Sequence, residues 1–142
     1  MKKIIIVPSK PVPKGRPRFV YNQYTHKPAV YTPKKTLDYE KFVAQCARDI
    51  ENNEPIDGYF KMSVVIYFKI PKSWSKKKRE EAKEGKLKPV VGDIDNYVKS
   101  ICDGLNGVAY KDDKYMYELN ASKKYGEKDL AIIVLEYDEN ND

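Results

Sequence analysis

Four aspartates are spaced so that they could do chemistry. Asp93 and Asp95 flank one residue at the mouth of an expected helix, Lys99 follows one turn inside it, and a second pair, Asp112-Asp113, comes after the helix has ended. In a helix beginning at Asp95, Lys99 lies above Asp95 at i+4, while Val98 and Cys102 turn toward the core. One reading of the first pair is structural: an aspartate caps the helix, and Asp95, Lys99 and Asp103 form a surface ion-pair ladder. The other is catalytic, and it needs the segment after the helix to return Asp112-Asp113 to the helix start so that three or four carboxylates converge. Hard oxygen ligands without His or Cys select magnesium, with manganese as a substitute, over zinc, and such ions serve phosphoryl chemistry. An EF-hand is excluded, because a loop opening at Asp93 would put Val98 at its glycine and Gly104 at its glutamate.

Other chemistries are poorly supplied. His26 is the single histidine and sits in a polar, proline-flanked stretch, which disfavours Ser-His-Asp catalysis and histidine metal sites. Cys46 and Cys102 fall on apolar helical faces, where reduced cysteine behaves as a small hydrophobe, so neither a disulfide nor a zinc site is expected. The net charge of +6 is segregated: residues 1 to 50 carry +8, residues 51 to 88 carry +4, and residues 89 to 142 carry −6. A basic stretch beside a carboxylate cluster suits a phosphate partner, provided a cation sits between the carboxylates and the phosphates.

The elements that must position these groups can be read from periodicity. With 142 residues, 41% hydrophobic and 34% charged, the chain suits one domain spanning 1 to 142. Lys3 to Val7 reads as a first strand ended by Pro8, and the proline-rich stretch through Pro33 as a long basic loop. Thr32 as N-cap with Pro33 at the first position opens a helix over 33–51. Phe60 to Ile70 alternates as a strand. Ser75 caps a short helix ending at Gly85, with Trp74 at its entrance. Its first turn is Lys76, Lys77, Lys78 and Arg79, where the helix dipole favours acids, so an approaching anion would relieve it. The i, i+3, i+4, i+7 spacing of Val98, Ile101, Cys102 and Leu105 gives the clearest helix, from Asp95 to Asn106-Gly107. Strands at 115–124 and 130–137, joined at Tyr125 to Lys128, read as an antiparallel hairpin. The order β-α-β-(α)-α-β-β implies an α+β fold, a mixed sheet with two main helices on one face. The apolar run after Met1 is cut short by Pro8, and no later run reaches the roughly 18 to 20 residues of a membrane span, so a cytoplasmic protein is expected.

The segment Asp93-Ile94-Asp95-Asn96-Tyr97-Val98-Lys99, then Asp103, Leu105, Gly107 and Tyr110-Lys111-Asp112-Asp113, resembles the D-x-D-N-x-x-K…D-x-L…D-D signature of RusA-type Holliday-junction resolvases, the crossover-junction endodeoxyribonucleases. The resemblance extends to Val7-Pro8 through Pro17-Arg18-Phe19, to Tyr31-Thr32-Pro33, to Pro71-Lys72-Ser73-Trp74-Ser75 and to the last strands. It implies a homodimer that binds four-way branched DNA and nicks two strands symmetrically in recombination and repair. It also implies magnesium (Mg2+) held by Asp93, Asp95 and Asp113, with Lys99 as the functional lysine; Asp112 reads as a turn acid, which could share the ligand role if the loop is shifted by a residue. Gly92 stands where a proline or basic residue is expected, which implies a less rigid approach to Asp93. Small resolvases of this kind are common in bacterial prophages.

The mechanism expected on this basis is phosphodiester hydrolysis by metal-activated water, leaving 5′-phosphate and 3′-hydroxyl ends, with Lys99 steadying the transition state. Lys14, Arg16, Arg18, Lys76, Lys77, Lys78 and Arg79 are the candidate phosphate contacts. Tyr21, Tyr24 and Trp74 are candidates to stack on unpaired bases. The rival readings are a non-catalytic basic DNA-binding module and a metal nuclease for forks or flaps.

Overall fold

Two alternating segments build the floor of the molecule. In a computed structural model that describes residues 1–16 and 18–138, and the backbone alone of Arg18, β1 spans Lys2–Val7 and buries every second residue. The strand β4, Phe60–Lys69, does the same over its whole length, putting Phe60, Met62, Val64, Ile66 and Phe68 on one face. β5 (Met116–Gly126) and β6 (Leu130–Tyr137) complete a four-stranded sheet of order β1-β6-β4-β5. The fold class is as expected, but the antiparallel hairpin is not formed. β5 runs parallel to β4, and β6 is inserted antiparallel between β4 and β1. The turn after β5 crosses the end of β4, where the Ile70 amide donates to Gly126 O at 3.1 Å and the Lys69 amide to Asp129 Oδ1 at 2.8 Å. A short connection between successive strands favoured a hairpin; here a third strand fits beneath it.

Two helices cover the inner face. Lys34–Arg48 forms α1, which buries Tyr39, Val43, Ala44 and Ala47. Ile94–Leu105 forms α3, which buries Tyr97, Val98, Ile101, Cys102 and Leu105. These residues and the inner faces of β1, β4 and β6 make one core cluster. The helices approach closely at Gly104, where a Cβ would stand 2.8 Å from Glu40 O and 3.0 Å from Val43 Cβ. Pro33, not Thr32, takes the N-cap position of α1, with no side-chain cap. The Thr36 hydroxyl instead accepts the Gly15 amide at 3.0 Å. α2 is Lys76–Lys83, with Ser75 Oγ accepting the Lys78 amide at 3.2 Å as expected. Cys102 is buried, Cys46 half-buried, and both are reduced.

The opening basic segment is more ordered than its prolines suggested. Residues 8–16 are laced to the helices: Ser100 Oγ donates to Val12 O at 2.6 Å and the Lys14 amide to Asn96 O at 2.8 Å. A two-stranded ribbon follows, β2 (Arg18–Asn22) with β3 (Lys27–Tyr31). Its turn is built by Asn22, whose Oδ1 accepts the amides of Tyr24 and Thr25. Every side chain of β3 is exposed, which is why no core-facing alternation marked it in the sequence. No helix among the described residues is long and apolar enough to cross a membrane.

Candidate active site at the start of the third helix

Asp93 occupies the N-cap position of α3, yet its carboxylate caps nothing. The backbone does the work: Asp93 O accepts the amides of Asn96 and Tyr97 at 3.1 and 3.3 Å. Asp95 lies exposed in the first turn. Among the described residues no ion pair joins it to Lys99, which is also exposed, and Asp103 pairs with Lys14 at 3.0 Å instead. Neither half of the structural reading, cap or ladder, accounts for the first acidic pair. Acids here do sit at the positive end of the helix dipole, a favourable place for a negative charge.

The loop leading to Asp93 is held, contrary to the looseness expected from Gly92. Gly92 has φ of +68°, and a Cβ there would fall 2.8 Å from the ring of Tyr97, so the position requires glycine. Its carbonyl accepts Lys123 Nζ at 2.9 Å. No local pattern announces this contact, because Lys123 lies on β5, thirty-one positions away.

The second acidic pair lies at the other end of the helix. Tyr110 pins the returning segment to the last turn of α3: its hydroxyl donates to Cys102 O at 2.9 Å, its carbonyl accepts the Gly107 amide at 2.8 Å, and its ring stacks on Phe60. A short 3-10 turn, Asp113–Tyr115, follows, capped by Asp112, whose Oδ1 accepts the Lys114 amide at 3.0 Å. The Asp113 amide donates to Asn106 Oδ1 at 3.1 Å. Asp113 as a residue is exposed, yet partial burial of its carboxyl raises its pKa above the usual carboxylate value. A hydrogen bond with Asp112 and the negative charges of Asp112 and Asp103 push it further the same way.

Asp113 therefore lies within electrostatic reach of Asp103, which is two turns beyond Asp95, about 12 Å along the axis at 1.5 Å per residue. Among the described residues no three of His, Cys, Asp and Glu stand close enough to hold a metal ion. The expected convergence of both acidic pairs does not occur within one chain. The connection after α3 is too short, and too firmly tied down by Tyr110, to travel back along the helix.

The basic candidates separate into classes. Lys14 is not a free phosphate contact, since its ammonium bridges Glu40 at 2.6 Å and Asp103 at 3.0 Å and is largely buried. Burial alone would lower its pKa, but the hydrogen bonds and charges of Glu40 and Asp103 outweigh this and raise it. Arg16 is exposed, as are Lys76, Lys77 and Lys78 in the first turn of α2. Lys78 Nζ lies 4.1 Å over the ring of Trp74. Arg79 is half-buried, with a buried Nε that has no hydrogen-bond partner among the described residues. The Arg18 side chain lies outside the described residues. Tyr21 and Tyr24 are exposed on the ribbon, where Tyr21 Oη contacts His26 Nδ1 at 3.2 Å.

Comparison with known proteins places this arrangement. A protein of Bacillus subtilis (strain 168), named only as the uncharacterized protein YqaN, is 39% identical over 130 residues, covering 89% of each chain. The family model described as "Endodeoxyribonuclease RusA" matches residues 8–136. That span takes in the laced basic segment, the ribbon, both acidic pairs, β5 and all but the last residue of β6, so the chain belongs to the RusA family of endodeoxyribonucleases.

Proposed function

We propose that this protein is a magnesium-dependent endonuclease that resolves four-way DNA junctions by paired, symmetric nicks in recombination and repair. The observation that carries the reading is the state of Asp93 and Asp95: two exposed carboxylates at a helix start, with neither a cap nor an ion pair among the described residues to occupy them. Magnesium is commonly held by one or two carboxylates, several waters and substrate phosphate oxygens, and this pair offers that donor set. Bound there, the ion would neutralise charge on the scissile phosphate and activate a water. Lys99, exposed one turn into α3, places an ammonium where it can steady the developing charge.

Asp113 is the third ligand of this reading, and the length of α3 keeps it from the other two in its own chain. We assign it to a homodimeric centre in which Asp93 and Asp95 of one subunit meet Asp113 of the partner subunit. Two such centres related by a two-fold axis would give symmetric nicks on a junction of matching symmetry. Arg16, Lys76, Lys77 and Lys78 carry the phosphate contacts that position the junction without reading its sequence.

The test is incubation with a mobile four-way junction, a fork, a flap and a blunt duplex, with magnesium or with EDTA, mapping nicks on every strand. The reading expects paired nicks on the junction in magnesium, sealable by ligase, and none in EDTA. Faster cutting of forks or flaps without paired nicks would replace it with the fork nuclease. DNA binding unaffected by EDTA, with no cutting of any substrate, would replace it with the non-catalytic module.

A further inference from the structure

A cleft of about 460 Å³ opens between the end of β4, the entrance of α2 and the loop that leads to Asp93. Trp74 and Tyr125 meet edge to face in its wall, with ring centroids 5.2 Å apart. Phe68 also lines it, and packs edge-on against Tyr97 in the first turn of α3 at 5.4 Å. Tyr97 is the ring that hems Gly92, and Val91 forms part of the wall, so the cleft is continuous with the approach to Asp93. Its rim is basic: Lys10, Lys69 and Lys72 line it, all exposed, against the single carboxylate of Asp129, which accepts the Lys69 amide. Lys78 adds a fourth ammonium above the indole.

Aromatic rings beneath a rim of ammonium groups are what single-stranded nucleic acid needs, with stacking for the base and point charges for the backbone. A paired base presents no free face to such a cleft, whereas a strand opened at a branch does. We propose that this cleft receives one unpaired nucleotide of a branched DNA, its base against Trp74 and Tyr125 and its phosphates among Lys10, Lys69 and Lys72, so that the strand leaving it runs toward Asp93. The proposal rests on the endonuclease reading and adds to it a binding site for an opened strand.

Trp74 is the only tryptophan, so its emission reports the cleft directly. The wild-type protein is titrated in EDTA with oligo-dT, with a blunt duplex of equal length, and with an oligomer of abasic sugar-phosphates, while fluorescence anisotropy of labelled DNA measures binding in parallel. Saturable quenching by oligo-dT is expected, with little from the duplex or the abasic oligomer. Trp74→Leu and Tyr125→Leu should each weaken oligo-dT binding about tenfold, and duplex binding less than about twofold. Duplex binding also shows that a variant still folds. Binding of oligo-dT without quenching, or equal quenching by the abasic oligomer or the duplex, overturns the cleft and leaves the endonuclease reading standing. No binding to any DNA overturns both.

Discussion

Replacing Lys14 with methionine separates two roles that its position in a basic segment had merged. The ammonium sits between Glu40 and Asp103, and the side chains are 18%, 15% and 34% exposed. Methionine keeps most of the aliphatic stem but leaves two carboxylates facing each other without a cation. Removing one partner of a fully buried pair costs about 3 to 5 kcal/mol, and breaking an exposed pair costs about 1 or less. This largely covered pair falls between, at about 2 kcal/mol. At ~2.1 cal/mol/K per residue the unfolding entropy is about 300 cal/mol/K, so Tm should fall by about 7 °C. The pH dependence has a definite sign. Because the folded protein raises the pKa of Lys14, its contribution is complete below the unfolded value of 10.5 and is lost as pH rises through the folded value. Calorimetry should therefore find a wide gap between wild type and Lys14→Met at pH 8 that closes in strongly alkaline buffer. The slope of log affinity against log salt on duplex DNA should stay unchanged, since no phosphate contact is lost. A Tm within about 1 °C of wild type, together with a salt slope shallower by about one, would show that Lys14 binds DNA and is no strut.

Further expectations follow from the same contacts. Gly104→Val should lower stability by about 1 to 3 kcal/mol, read by denaturant midpoint, because its side chain would drive α3 off Glu40 O and Val43. Lys77→Ala should flatten the salt slope of DNA binding by about one while leaving Tm unchanged, since its side chain is exposed in the first turn of α2. Mixing Asp95→Asn with Asp113→Asn protein should restore nicking that neither variant shows alone. Half the dimers are then mixed and each holds one intact centre, for about a quarter of the wild-type centres. No restoration after verified subunit exchange would return all three aspartates to one chain.

The inner face of the sheet was legible because burial imposes a period on the sequence: β1, β4 and the apolar stripe of α3 all carry it. What escaped depended on partners distant in the chain or on solvent. The place of β6 between β1 and β4 is a matter of which strand fits under a turn, and the turn residues Tyr125 to Asp129 are equally compatible with a hairpin. The ribbon β2-β3 buries no face, so it left no pattern beyond its turn. At the site, the aspartates and Lys99 could be picked out by spacing, and the start of α3 was off by one residue. The positions of Asp112 and Asp113 could not be read, because they are set by Tyr110, whose hydroxyl reaches back to Cys102. Nor could Lys14, whose partners Glu40 and Asp103 are 26 and 89 positions away.

In the proposed endonuclease, the carboxylates at the start of α3 hold the ion that cuts DNA. Single-turnover cleavage of a four-way junction in magnesium by Asp95→Asn, with junction binding measured in EDTA, tests this most directly. Cleavage should fall by at least about a hundredfold while binding stays within a few-fold of wild type, because removing one hard ligand takes away several kcal/mol of charge stabilisation. Cleavage at the wild-type rate would contradict this and place the chemistry elsewhere on the protein.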